Sequence, residues 1–204
     1  MIITYHGLEC FKISQGDITL ATNPISKESK AKTTNFGADI TLITTNTPDT
    51  NGRDQTSRGD RDSFIIDGPG EYEMKDIFIK GFLSEGPNGK INTIYLISFE
   101  GMNICFLGVL ANSTLSTETL EAIEDVDILF VPIGGGNTIE SALAYKLAVS
   151  IEPSVIIPMY YSDTELKKFV KEGGENKVGS LDKLVVKKKD LEGKKSEITA
   201  LKEE

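Results

Sequence analysis

The run Ala38-Asp39-Ile40-Thr41-Leu42-Ile43-Thr44-Thr45 passes directly into Asn46-Thr47-Pro48-Asp49-Thr50. β-Branched residues dominate the first part and suit a pleated strand, whereas Asn, Pro and Asp in the second part favour a turn. The stretch therefore reads as a strand that delivers a polar loop. The side chains on offer there are Thr45, Thr47, Asp49 and Thr50.

Upstream, residues 2–5, 10–14 and 18–21 are short β-type runs punctuated by Gly7 and Gly16, followed by a polar, lysine-bearing stretch over 26–37. Downstream, residues 51–62 read as an exposed loop. Further strands are expected at 64–66, 77–82, 91–99 and 102–107, separated by Gly68-Pro69-Gly70, Gly86-Pro87-Asn88-Gly89 and Glu100-Gly101. After Leu110 the pattern changes to alternating helix and strand, with a helix over 117–124 and a buried strand over 126–133. Asn137-Thr138-Ile139-Glu140 and Ser162-Asp163-Thr164-Glu165 each have the spacing of a capping box and predict helix starts. Between them residues 154–159 form an apolar strand in which Pro158 is expected to stop ladder pairing, and 184–186 and 198–201 read as closing strands. No internal repeat or low-complexity segment interrupts the pattern, so residues 1–204 are expected to form a single mixed α/β domain.

Composition bounds the function. Hydrophobic residues at 39% and charged residues at 26% are ordinary for a folded chain. A formal charge of -9 opposes a surface built to neutralise phosphates, and Asp182, Asp190 and Glu192 interrupt the basic cluster Lys183, Lys187, Lys188 and Lys189. Nucleic acid is therefore not an expected partner. The opening Met1-Ile2-Ile3-Thr4-Tyr5-His6 lacks a secretory pattern, and no apolar run is long enough to cross a bilayer, so a cytoplasmic protein without membrane contact is expected. Cys10 and Cys105 sit in apolar runs and are expected to be buried thiols.

Six landmarks occur in order: Ile3-Thr4-Tyr5-His6-Gly7-Leu8-Glu9-Cys10-Phe11, the loop over 42–51, Gly68-Pro69-Gly70-Glu71-Tyr72-Glu73, Phe106-Leu107-Gly108, Asp127-Ile128-Leu129-Phe130-Val131-Pro132-Ile133-Gly134-Gly135, and Glu152-Pro153 through Ile157-Pro158-Met159-Tyr160-Tyr161. In this order they resemble the metallo-β-lactamase superfamily, in particular its small hydrolase-like branch. The resemblance implies a four-layer αββα sandwich with a site at one edge, where strand-end loops converge. It also implies zinc, held in active members by a His-x-His-x-Asp-His segment that activates water.

The chain departs from that motif at each imidazole. Thr45, Thr47 and Thr50 stand where the resemblance places histidines, and only Asp49 matches. Leu107-Gly108-Val109 replaces a Leu-Gly-Asp segment, Tyr160 replaces a histidine, and Ser84-Glu85 falls near another expected histidine. His6 is the single histidine, and it lies before the family position. A threonine hydroxyl is far less basic than imidazole, so zinc, the family's cofactor, is not expected here. What remains is a vestigial pocket of Thr45, Thr47, Asp49, Thr50, Glu71, Val109 and Tyr160, with no metal ligands assigned and Asp49 as the candidate catalytic base.

Other chemistries are weaker. Asp49, Glu71, Glu73 and Glu85 would suit a hard cation only if the fold gathered them. Gly134-Gly135-Gly136-Asn137 lacks the lysine of a phosphate loop, and Ser113, Thr114 and the cysteines lack an imidazole base apart from His6. Tyr160 and Tyr161 either donate hydrogen bonds to a ligand or fill the volume of lost ligands. The expected function is a pseudoenzyme acting through binding or assembly, with a protein or small-molecule partner that the sequence does not name. The alternatives are a hydrolase that uses another ion or none at a site built around Asp49, and a homo-oligomeric structural protein.

Overall fold

A computed structural model describes residues 1–59, 62–174 and 178–204. The early runs form β1 (Ile2–Tyr5), β2 (Phe11–Gln15) and β3 (Ile18–Thr22), followed by β4 (Ile40–Leu42) and β5 (Phe64–Ile66). With β13 (Leu184–Val185) they make one sheet in the order β13-β1-β2-β3-β4-β5. The second sheet takes β6 (Gly70–Met74), β7 (Ile77–Glu85), β8 (Ile91–Phe99), β9 (Met102–Phe106), β10 (Ile128–Pro132), β11 (Val155–Met159) and β14 (Glu197–Ile198) in the order β14-β11-β10-β9-β8-β7-β6. A small parallel pair joins β12 (Ser180–Leu181) to β15 (Ala200–Leu201).

Side-chain alternation decides which faces meet. Ile3, Tyr5, Phe11, Ile13, Leu20, Ile40, Leu42 and Ile66 turn inward from the first sheet onto Ile79, Tyr95, Ile97, Ile104, Phe106, Phe130 and Ile157 of the second. Phe11 is the pivot, stacked on Tyr5 at 4.8 Å and edge-on to Phe130 at 4.7 Å between ring centres. Burying each such side chain stabilises the fold by about 1.5–3 kcal/mol. The opposite face of the second sheet carries Ile94, Cys105, Leu129, Val131 and Ile156, which pack under α2 (Ser141–Ile151) and α3 (Asp163–Glu172), with Ile123 at the end of α1 (Thr117–Ala122).

The outer face of the first sheet is different. Thr4, Lys12, Ser14, Thr19 and Thr41 occupy it, so it presents no apolar stripe for a helix to cover. Loops and the short 3-10 turn Arg53–Gln55 form the layer there. Buried Thr41 pins it, donating a hydrogen bond to the Thr56 hydroxyl at 2.8 Å and lying 2.7 Å from the Ser63 hydroxyl.

Three local expectations change. The first helix after Gly136 is capped by Glu140 rather than Asn137, without a side-chain cap bond. The glycines instead close a tight turn in which the Gly135 amide donates to the Ile139 carbonyl at 3.2 Å. The box at Ser162 and Glu165 is present as expected. Pro158 does not end its strand: its missing N–H faces the β14 side, beyond the last pair Ile156 with Ile198, where no ladder bond is needed. Finally, β6 is a full hairpin partner of β7, through a Lys75-Asp76 turn with φ of 52° and 60°, which carries no glycine to announce it.

If hydroxyls hold the helix-free layer, Thr41→Val, which keeps the shape and removes the donor, lowers unfolding free energy by about 1–3 kcal/mol. Urea denaturation of the two proteins measures it, and an unchanged midpoint would mean that the layer is held by other contacts.

Candidate functional site

The loop after β4 is fixed from both sides. The Ile43 amide donates to the Ile66 carbonyl at 2.8 Å, and the Thr44 amide donates to the buried Asn23 side chain at 2.9 Å. Thr44 in turn accepts the Thr93 amide on its carbonyl at 2.8 Å, which joins the first sheet to the second. The Thr45 hydroxyl donates to the Ile91 carbonyl, the Thr50 hydroxyl donates to the Thr45 carbonyl at 2.6 Å, and the Thr47 and Thr50 hydroxyls are 2.8 Å apart. Thr45 and Thr50 are buried and Thr47 is half-buried. All three threonines thus bond to the loop or to its neighbours.

Asp49 is half-buried, and its Oδ1 accepts the Ser29 hydroxyl at 2.5 Å, which draws the lysine-bearing stretch over the loop. Val109 is buried and offers only backbone, its amide donating to Asn92 Oδ1 at 2.9 Å. The same Asn92 donates to the Leu107 carbonyl at 2.9 Å and to the Ser84 hydroxyl at 2.8 Å, so Ser84 serves as a clamp. Tyr160 sits in the left-handed region at φ 53°, and its amide donates at 2.8 Å to Leu8, itself at φ 52°. Two linked non-glycine residues in this region are a strained arrangement of the kind that clusters at functional sites.

Sequence reasoning missed Glu9. It is 1% exposed, and its Oε1 has no hydrogen-bond partner. Burial first, and then the nearby Asp49 carboxylate, push its carboxyl up to about 8. Burial also raises the Tyr160 phenol, reinforced by Glu9 and Asp49 and partly offset by a hydrogen bond with Asn137. Glu9, Asp49 and Tyr160 are therefore within one another's electrostatic reach. A signal was available: Glu9 has the parity of inward-facing Phe11 and Ile13.

Glu71 does not belong to this group. Tyr72 and Met74 pack against the inter-sheet core, so Glu71 and Glu73 point to the opposite face, where Glu71 pairs with Lys80 at 3.2 Å near Glu118 of α1. Glu85 is exposed and accepts from Asn112 at 3.3 Å. Among the described residues no three of His, Cys, Asp and Glu gather closely enough to hold a metal ion. His6 turns to the Phe36 ring at 4.7 Å and to Glu204 at 3.7 Å, and burial lowers its pKa. Cys10 and Cys105 are buried and unpaired, their thiols pushed up to about 12 by burial. The Tyr161 hydroxyl donates to the Leu201 carbonyl at 3.3 Å. A cleft of about 740 Å³ lined by Lys12, Arg58, Phe64 and Lys75 lies at the other end of β3–β5, away from Asp49.

Glu9 makes stability depend on pH. Its carboxyl stays protonated in the folded chain up to about 8 but ionises near the ordinary value of 4.5 when unfolded, so folding is opposed progressively as pH rises through that window. The loss is on the order of 4–5 kcal/mol across the window for a group this buried. Asp49, Tyr5, Tyr160 and Cys10 face it, and the phenols and thiol are raised, so they titrate above this range. Glu9→Gln should flatten the decline and be the more stable protein at pH 8.5. Denaturation curves at pH 5 and 8.5 check this, and parallel declines in both proteins would remove Glu9 as the cause.

Comparison with known proteins agrees with this architecture. Residues 2–160 match the family model described as the beta-lactamase superfamily domain. The fold superposes with a TM-score of 0.80 and 25% identity on a candidate Zn-dependent hydrolase of the metallo-beta-lactamase superfamily from Thermotoga maritima, covering 100% of this chain and 99% of that one. The metallo hydrolase Igni18 of Ignicoccus hospitalis shares the fold at a TM-score of 0.62 and 18% identity, over 91% of this chain and 99% of that chain. A UPF0173 protein of Pyrococcus furiosus is 33% identical over 106 residues, 50% of this chain and 48% of that protein. The chain spans about half the length of the curated relatives it matches. The matched span runs from β1 to Tyr160 and takes in every strand that shapes the strand-end loops, and the chain belongs to the beta-lactamase superfamily.

Proposed function

We propose that this chain is a hydrolase-like fold that acts by binding or assembly and holds no zinc at its strand-end site. The observation that carries the reading is the commitment of the threonine hydroxyls. Thr45 and Thr50 each donate their proton to a backbone carbonyl, and Thr47 is engaged with Thr50. Zinc sites are built from thiolate, imidazole and carboxylate. Of the positions that would surround it, Val109 brings no donor, Tyr160 brings a phenol whose pKa is raised, and Asp49 alone brings a carboxylate. The residues present do not fit zinc.

A second reading keeps hydrolysis, as named for the Thermotoga and Ignicoccus proteins, with Asp49 as base. The observation in its favour is the buried Glu9, whose carboxyl burial and then the Asp49 charge push up to about 8, because a carboxyl raised by its surroundings can take the acid role beside a second one. It requires that ester, phosphoester or lactone hydrolysis disappear in Asp49→Ala with folding retained.

Two measurements separate the readings. Elemental analysis of protein purified from zinc-supplemented culture is expected to find less than about 0.1 zinc per chain, against the near-unit occupancy of a built site. Near-stoichiometric zinc that is lost in Asp49→Ala would overturn the main reading. Turnover of any of the three ester classes that is abolished by the same substitution would establish the second.

A further inference from the structure

We propose that the tip of the β7–β8 hairpin is a site of spontaneous covalent modification, where Asn88 loses its side-chain amide by attack of Gly89, while the fold protects the matching pair Asn51-Gly52. These are the two Asn-Gly pairs of the sequence. A glycine after asparagine leaves the next backbone nitrogen uncrowded and free to rotate toward the carboxamide. Both pairs share that intrinsic reactivity, so their surroundings decide which one reacts.

Asn88 and Gly89 are exposed. Asn88 lies in the left-handed region at φ 55° and Gly89 at φ 72°, and a Cβ on Gly89 would meet nothing within 4 Å. The turn is closed at its shoulders: the Gly86 amide donates to the Lys90 carbonyl at 2.8 Å, and the Lys90 amide donates to the Pro87 carbonyl at 3.1 Å. The Asn88 carboxamide makes no hydrogen bond among the described residues. Around Asn51 each reacting group is held. Its Oδ1 accepts Arg53 Nε at 2.9 Å, and its Nδ2 donates to Asn46 Oδ1 at 2.5 Å. Gly52 is buried, its amide donates to the Pro24 carbonyl at 2.6 Å, and a Cβ on it would fall 2.6 Å from the Ile25 carbonyl carbon. Attack at Asn51 therefore requires breaking these bonds and lifting a packed loop, whereas attack at Asn88 displaces no neighbour.

The step balances with water as co-reactant. The Gly89 nitrogen bonds to Asn88 Cγ, the Cγ–Nδ2 bond breaks, the proton leaving Gly89 passes through solvent to the departing ammonia, and a cyclic imide remains. Water opens that ring at Cγ to give aspartate, or at the main-chain carbonyl to give isoaspartate, in which the chain runs through Cγ. Either product adds one negative charge to a chain of formal charge -9. Isoaspartate also lengthens the backbone of the turn, in the hairpin whose Ile91 carbonyl accepts the Thr45 hydroxyl.

The folded full chain is incubated at pH 7.5, below its unfolding transition, and sampled over time by ion-exchange chromatography and by peptide mapping with mass spectrometry. A more acidic species is expected to grow, with aspartate and isoaspartate at position 88 and Asn51 unchanged. Conversion at Asn88 should be at least about tenfold faster than at Asn51, given the hydrogen bonds that must open at the latter. In guanidinium chloride, where the fold is lost, the two rates should converge. Asn88→Gln, whose longer side chain requires a larger ring, should remove the acidic species. Equal rates at the two positions in the folded chain, an Asn88 that reacts only after denaturation, or an acidic species that persists in Asn88→Gln would overturn the proposal.

Discussion

Two buried asparagines hold the strand ends of this fold in register, and the geometry of the site follows from them. Asn23 accepts the Thr44 amide and donates to the Thr44 hydroxyl, both at 2.9 Å. Asn92 accepts the Val109 amide and donates to the Leu107 carbonyl, also at 2.9 Å. Each amide is fully buried and uses both its oxygen and its nitrogen, so neither carries the cost of an unsatisfied buried polar group. Between them the Thr93 amide reaches the Thr44 carbonyl, and the Tyr95 hydroxyl donates to the Ile43 carbonyl at 2.9 Å. The two sheets are thus joined by polar bonds at the edge where their loops meet, and by apolar packing elsewhere.

This clamp explains how the threonine-bearing loop keeps its form. A metal ion would cross-link loops that otherwise need other restraints. Here the Thr45 hydroxyl reaches the Ile91 carbonyl of the opposite sheet and Thr50 closes the turn on Thr45, so covalently local hydroxyls provide the restraint. Gly108 shows how tight the arrangement is: at φ 61°, a Cβ there would fall 2.5 Å from Asn92 Oδ1 and 2.7 Å from Thr44. The strained pair Leu8 and Tyr160 is held by one backbone bond and by Gly134, where a Cβ would lie 2.2 Å from the Tyr160 carbonyl oxygen.

Most of the fold was legible because it depends on period-two burial and on helix caps. Ile3, Phe11, Ile13 and Leu20 declare their inward faces by alternation, and Ser162 with Glu165 declares α3. The hairpin of β6 and β7 was not legible, since Lys75-Asp76 adopts a turn usually marked by Asn-Gly. Asn137 misled because a capping box is defined by spacing, and the glycines before it place the chain in a turn instead. Thr45, Thr47, Asp49 and Thr50 were legible as one group because a single short loop carries them. Glu71 was misplaced because strand-end proximity says nothing about which face of an edge strand a side chain takes. Glu9 was passed over because its neighbours are apolar, and the reading for metal ligands weighed histidines above a buried acid.

Glu9 also changes how the site's electrostatics should be understood. A metallohydrolase site can bury carboxylates because its ions supply the compensating charge. This chain has Asp49 in the strand-end loop, a buried carboxyl at Glu9 and a single histidine, His6. Ionising the buried Glu9 is costly, and burial first and then the Asp49 charge favour its protonated form. A proton thus occupies the electrostatic role of a cation, but neutralises one carboxyl while leaving its Oε1 unsatisfied.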